Sequence, residues 1–299
     1  MTEFEAHRVG LTGYCYRMLG AALEAEDAVQ ETFLRAWRGT FDPDRGSVKT
    51  WLYSIATNVC LDMLRSAQRR AIAMDLAEPV TPGMPLGTPL PDSAWVHPMP
   101  DNRILDPADL MVTAESVRLA FVAALQHLPP KQRAVLILRE VLCWKADEVA
   151  QLLDTTTASV NSALQRARAT MASRPSVSPV DRDHADVLDR YMKAFQSYDI
   201  DTLVSLLHED ATMTMPPFTW WLRGRSHIHQ VLLAAGAEAT CQSTTFVPAG
   251  SANGAPAFGQ YLHGKPFALL VLTVEGGLVT QSTTHLNATG LFSLFGLDR

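Results

Sequence analysis

The chain has 299 residues, 47% of them hydrophobic and 19% charged, with a formal net charge of −6. Such a composition excludes a disordered or fibrous protein, and the length suffices for two or three domains with separate cores. Apolar runs such as Phe267 to Leu272 are too short to cross a bilayer, and residues 1–5 do not read as the start of a secretory signal.

The acidic total hides an uneven distribution. Residues 45–70 carry +4 and residues 131–174 carry +3, whereas 1–44, 71–130 and 175–299 carry −4, −5 and −4. Two basic islands suit contact with nucleic acid at two points, although ordinary solvated helix faces produce the same charge. Cys15, Cys60, Cys143 and Cys241 are scattered and form no CxxC pair. Reduced thiols in a cytoplasm are expected, with neither a disulfide framework nor a zinc knuckle.

Residues 7–70 read as helical almost throughout. Tyr14, Met18 and Leu19 form one apolar stripe. Ala28, Val29, Thr32, Phe33, Ala36 and Trp37 form another behind the acidic start Glu24-Ala25-Glu26-Asp27. Phe41-Asp42-Pro43-Asp44-Arg45-Gly46-Ser47 is a turn with Ser47 as N-cap, after which Trp51, Leu52, Ile55, Ala56, Val59, Cys60 and Met63 repeat the helical period. Prolines at 79, 82, 85, 89, 91, 98, 100 and 107 then predict an extended, mobile linker.

Helices resume near Ala108 and run to about Met171. Pro129-Pro130-Lys131-Gln132-Arg133 opens one, and Asp147 to Leu153 carries apolar residues at helical spacing. A turn, Leu153-Asp154-Thr155-Thr156-Thr157, precedes a helix rich in Asn, Gln and Arg. Helix, turn and polar helix is the layout that sets side chains in a DNA major groove. Thr156, Thr157, Ser159 and Asn161 stand at the start of that helix, with Gln165, Arg166 and Arg168 further along; Val160 and Leu164 face inward.

A second break, Pro175-Ser176-Val177-Ser178-Pro179, leads to a tail whose pattern is α+β. Two helices (about Asp183–Tyr198 and Asp201–Leu207) precede a strand Ala211–Met215 and a helix Ser226–Ala237. Strand-like runs follow at 243–248, 257–262, 267–274, 277–285 and 286–291. Met213, Met215, Phe218, Trp220 and Trp221 form an aromatic and sulfur cluster that fits a pocket lining, with His285, and fits a fold core equally. His208, Asp210, His227, His229, His263 and His285 supply acid–base groups, but at no catalytic spacing. His227 and His229 point to different helix faces, a poor metal pair. No catalytic residue, metal ligand or cofactor is assigned.

Three segments carry a resemblance. Cys15-Tyr16-Arg17-Met18-Leu19-Gly20, Glu26 through Trp37 and Trp51 through Asp62 resemble region 2 of extracytoplasmic-function (group IV) sigma factors. The helix-turn-helix segment resembles their region 4. The tail is similar to the SnoaL-like polyketide-cyclase domain, as in the SigG-like and SigJ-like branch of that family. The implied fold is multidomain, with two all-α sigma domains and an α+β SnoaL-like cone. The expected bounds are residues 1–72 for region 2, 73–108 for the linker, 109–172 for region 4 and 183–299 for the tail.

The resemblance implies that Glu26, Asp27, Gln30 and Glu31 meet the β′ coiled coil of core RNA polymerase, with the β subunit as a further partner. Lys49, Trp51, Asn58, Arg65, Arg69 and Arg70 are expected on melted promoter DNA at the minus-ten element. Trp51 also lies on the stripe of Leu52, Ile55 and Val59, so core packing fits it as well. Family members often have a basic residue where this chain has Ser54. Thr157, Ser159, Asn161, Gln165, Arg166 and Arg168 are expected at the minus-thirty-five element. The implied function is a cytoplasmic alternative sigma factor with a fused regulatory tail open to a small-molecule ligand, performing no chemistry itself and needing no membrane. A different class also fits: a cyclase or isomerase that has acquired a DNA-binding module.

Overall fold

The computed structural model describes residues 2–65, 69–105, 114–172, 184–237, 244–286 and 288–297. Cys241 and the break at 175–179 lie outside them. The chain forms two compact units, Met1–Arg70 with Val96–Val177, and Ala71–Trp95 with Ser178–Arg299.

The first unit begins with α1 (Arg8–Leu19), α2 (Ala22–Arg38) and α3 (Val48–Leu64). Every residue from Leu11 to Leu19 is buried, as befits a central helix that is apolar almost all round. Against it α2 turns the small residues Ala22, Ala25, Ala28 and Ala36, which allow close approach. Ser47 caps α3, accepting from the Thr50 amide at 3.1 Å. Tyr14 donates to Thr57 Oγ1 at 2.8 Å, and Thr57 donates onward to the Tyr53 carbonyl at 2.7 Å, tying α1 to α3. Burial pushes the Tyr14 phenol well above its ordinary pKa.

The same unit continues with α4 (Leu119–Leu125), α5 (Pro130–Leu136), α6 (Ala146–Leu152) and α7 (Thr157–Ala172). Pro130 sits in the first turn of α5, where its missing N–H costs nothing. Beyond α5 the helix widens into a π turn over Ile137–Val141, and Cys143 adopts a positive φ of 55°. This re-aims Trp144 onto α3, where its ring lies 5.1 Å from Tyr53. Other contacts close the same seam between the two helical halves. Arg17, 2% exposed, donates through Nε to Ser116 O at 3.0 Å, and Gln126 Nε2 donates to Arg17 O at 3.2 Å. Arg133 donates to the Met18 carbonyl.

The second unit contains α8 (Ala185–Gln196), α9 (Ile200–Ser205), β1 (Leu207–Thr214), β2 (Trp221–Arg223) and α10 (Arg225–Ala237). It continues through β3 (Thr244–Ala252), β4 (Ala255–Leu262), β5 (Lys265–Glu275), β6 (Leu278–Leu286) and α11 (Thr289–Phe292). The strands form one sheet in the order β2-β1-β6-β5-β4-β3, parallel between β1 and β6 and antiparallel elsewhere. The hairpin turns Asn253-Gly254, His263-Gly264 and Gly276-Gly277 have positive φ at both positions, the twist that two-residue hairpins require. Tyr191, Leu203, Met213, Leu222, Leu270 and Leu272 pack in the core between helices and sheet. The architecture is two all-α bodies and an α+β domain, the fold class the sequence implies.

Three expectations change. The run 286–291 is not a further strand: Leu286 is the last residue of β6 and Thr289 the first of α11, residue 287 lying outside the described residues. The chain turns away, and Leu291 and Phe292 are buried near the end of a short helix. Strand β2, only three residues long, is too short to show a period.

The third change concerns the proline-rich segment, which is divided between the units. Residues 71–95 belong with the tail. Val80 N–H donates to Trp221 O at 2.9 Å, extending the edge strand β2, and Leu90 N–H donates to Pro217 O at 2.9 Å. The indoles of Trp221 and Trp220 donate to Ala77 O at 2.9 Å and Met84 O at 3.2 Å. Prolines tolerate this extended path because few of its amides are needed as donors. Residues 96–105 instead join the helical unit, where His97 N–H donates to Gly20 O at 3.0 Å and Tyr16 to His97 O at 2.7 Å.

Candidate nucleic-acid interface

On α2, Leu23, Asp27, Gln30, Leu34 and Trp37 are all exposed and follow one another at steps of four and three residues. They therefore lie along one face. Trp37 is 78% exposed, and Leu34 44%. The inner-stripe assignment of Trp37 is thus corrected: Ala36 takes the buried position beside it. Glu26 and Glu31 are half-buried next to this face; Glu31 pairs with Arg35 at 2.7 Å, and Glu26 lies 3.8 Å from Arg103.

A cavity of about 290 Å³ opens between the end of α2 and the middle of α3, lined by Arg35, Gly39, Thr40, Trp51, Ile55 and Asn58. Trp51 is half-buried between Phe4 and Phe41, with ring centroids 6.2 and 5.4 Å away, so it packs and also faces the cavity. A side chain at Gly39 would sit 3.3 Å from the Trp51 ring, which explains a glycine at this wall. Asn58 is exposed at the rim, and Asp62 holds Arg35 and Arg65 at 3.5 and 3.3 Å. Lys49 lies 5.9 Å over the Trp144 ring.

Two of the basic residues expected on DNA lie elsewhere. Arg70 is 5% exposed and paired with Glu24, and Arg69 contacts His127 Nδ1 at 2.5 Å. Both approach the seam between the helical halves. Arg70 meets Glu24 of α2 and Arg69 meets His127 ahead of α5, a placement that charge counting along the chain does not reveal.

On α7, Val160, Leu164 and Ala167 are buried against the neighbouring helices, while Thr157, Ser159, Asn161, Gln165, Arg166 and Arg168 are exposed. Thr156 caps the helix, accepting from the Ser159 amide at 3.1 Å. Arg166 donates to Ser162 at 2.7 Å, whereas Arg168 is held by Glu140 at 2.5 Å.

In the tail, Met213 and Trp220 join the main core and Met215 packs on it. Trp221 belongs to a separate cluster with Ala73, Ala94 and Trp95, since it and Leu222, adjacent on β2, point to opposite faces. His285 is buried on β6 opposite Leu269. The expected pocket set is therefore split across the sheet. His227 and His263 are exposed, and His227 Nδ1 lies 3.0 Å from Arg223 O. Among the described residues no group of three or more His, Cys, Asp or Glu is placed to hold a metal, and no helix is long and apolar enough to cross a membrane.

The fold and these surfaces define a class: a multidomain protein with a helix-turn-helix, a separate helical body bearing an exposed helix face and a cavity, and an α+β tail. Comparison with known proteins narrows it. Residues 4–70 match the family model for sigma-70 region 2, and residues 118–171 match that for sigma-70 region 4. The chain is 41% identical over 312 residues to the ECF RNA polymerase sigma factor SigG of Mycobacterium tuberculosis, covering 99% of this chain and 84% of that protein. It is 34% identical to SigJ of the same organism, over 72% of this chain and 64% of that protein. The crystal structure of Mycobacterium tuberculosis SigJ superposes with a TM-score of 0.62 at 26% identity, covering 98% of both chains, tail included. The chain belongs to the extracytoplasmic-function family of RNA polymerase sigma factors, proteins that direct promoter recognition and transcription initiation.

Proposed function

We propose that the exposed stripe of α2 is the surface that docks on core RNA polymerase. Its four-and-three spacing is the one a coiled-coil partner presents, which suits the β′ coiled coil. Leu23, Leu34 and Trp37 supply the apolar centre, and Asp27 and Gln30, with Glu26 and Glu31 beside them, fix partner and register. The cavity beside Trp51 receives one unstacked base of the minus-ten element, with Asn58 and Arg35 at its rim and Lys49 and Arg65 for the backbone. The exposed face of α7 enters the major groove at the minus-thirty-five element, where Arg166 is better placed for DNA than Arg168.

The two elements are about 25 base pairs apart, about 85 Å of duplex. The helical halves, joined through Tyr53 and Trp144, cannot span that distance while packed together. The factor therefore works by opening, and the packed form is its resting state. The linker that must follow this separation is held by Trp220 and Trp221 of the tail, and this contact carries the reading of the tail as a regulatory domain rather than a catalytic one. A small molecule bound in the tail would act by favouring the docked or the released linker.

In vitro transcription with purified core enzyme is the test. The full chain should direct initiation from a cognate promoter, and a chain lacking residues 184–299 should do so at a different level. Failure of both chains to support any promoter-dependent initiation would reject the reading.

A further inference from the structure

The linker segment 77–90 lies on the tail largely through its backbone. The indoles of Trp220 and Trp221, both buried, donate to Met84 O and Ala77 O. In return Trp221 O and Pro217 O accept from the amides of Val80 and Leu90, at 2.9 Å each. Two side chains add to this grip. Val80 packs on the main core of the tail, which includes Trp220 and Leu222, and Leu90 packs on the cluster around Trp221. Between them Gly83 to Pro89 is exposed, and a Cβ placed on Gly83 or Gly87 would meet nothing within 4 Å. Prolines at 79, 82, 85 and 89 hold the backbone extended and offer carbonyls without amides. Neighbouring indoles, which donate and never accept, suit such a chain.

We propose that Pro217, Trp220 and Trp221 form a peptide-recognition groove, and that it takes an extended proline-rich segment of another protein in exchange for residues 77–90. The groove defines its partner: carbonyls where Ala77 and Met84 stand, an amide with a compact apolar side chain where Val80 stands, and a second apolar side chain in place of Leu90. The resting segment is open to exchange because it is fastened at separated points, and loosening one of them exposes little buried surface. A partner in the groove displaces the linker and so favours the open form of the factor. This inference rests on the reading of the tail as a regulatory domain that holds the linker, and adds the class of partner that breaks the hold.

The test is calorimetric titration of the full chain carrying Val80→Asp with a synthetic peptide of residues 77–90. The carboxylate cannot stay on the apolar core, so the chain's own segment lets go while the groove keeps its residues. The expected result is saturable binding below about 1 mM, at least about tenfold tighter than to the parent chain, whose tethered segment competes. A peptide N-methylated at the Val80 amide, and one bearing Val80→Asp, should each bind about tenfold more weakly. In the parent chain, hydrogen exchange at Val80 should quicken with excess peptide and not with its Val80→Asp form. No saturable binding to the variant with no change of exchange in the parent, or equal affinity for all three peptides, would overturn the proposal. Such a result beside altered transcription by the chain lacking residues 184–299 would leave the tail regulatory and remove its peptide partner alone.

Discussion

The ring of Trp144 lies 5.1 Å from that of Tyr53, inclined by 50°, and Lys49 Nζ stands 5.9 Å from the centroid of the Trp144 ring. A residue of region 4 thereby covers part of the region 2 helix expected to meet melted DNA. The π turn before Trp144 is what allows this reach.

We predict that Trp144→Leu shifts the helical unit toward separation of its halves. An aromatic pair and a cation–π contact from the exposed Lys49 together contribute about 1–2.5 kcal/mol. Dyes placed at the exposed positions Thr40 and Asp147 should report a longer mean distance in the variant. An unchanged distance, in a chain that keeps its helicity, would show that Trp144 does not hold the seam.

Trp37→Ala and Arg166→Glu should give opposite defects. With its ring 78% exposed, Trp37 should cost less than about 0.5 kcal/mol of stability when removed, yet affinity for core polymerase should fall about tenfold or more. Arg166→Glu should leave that affinity intact and reduce output from promoters that depend on the minus-thirty-five element, because reversal replaces attraction to phosphate with repulsion. Equal losses in both assays for both variants would point to general unfolding.

Trp221→Phe keeps an aromatic ring, though a smaller one, and removes the N–H that donates to Ala77 O, a bond of about 1 kcal/mol. Residues 77–90 should become more open. Hydrogen exchange at the Val80 amide, which donates to Trp221 O, reads this directly, and faster exchange by about fivefold is expected. Exchange as slow as in the parent chain would mean that the backbone contacts alone retain the linker.

Asp199 caps α9, accepting from the Thr202 amide at 3.0 Å. Hydrogen bonds from the Thr202 hydroxyl and amide hold its carboxyl below the ordinary pKa. A carboxylate with a depressed folded pKa adds stability that is present above its unfolded pKa and lost as pH falls through the folded value. Asp199→Ala should therefore lower the melting temperature of the tail at neutral pH. The difference from the parent should vanish in acid, below the usual carboxylate range. A gap that persists unchanged at low pH would assign the effect to something other than the charged cap.

Periodicity and capping chemistry made much of this protein legible without coordinates. Ser47 as a cap and Val160 and Leu164 as the inner face of α7 are local features, set within one or two turns of chain. Recurrent motifs in region 2 and region 4 carried the family, since each is read along one helix. What the tertiary structure decided involves partners far apart in sequence. Trp37 and Ala36 are adjacent on one stripe, and only packing against α1 selects the small residue for the interior. Arg70 reads as a DNA-facing cation until Glu24 and the region 4 seam enclose it. Trp221 reads as pocket lining until strand alternation turns it to the opposite face from Leu222, against Ala73, Ala94 and Trp95. Local hydrogen bonds and helical spacing are short-range and so are written in neighbouring residues. Choice of burial, and of which charge meets which, is settled by whatever surface the fold brings alongside.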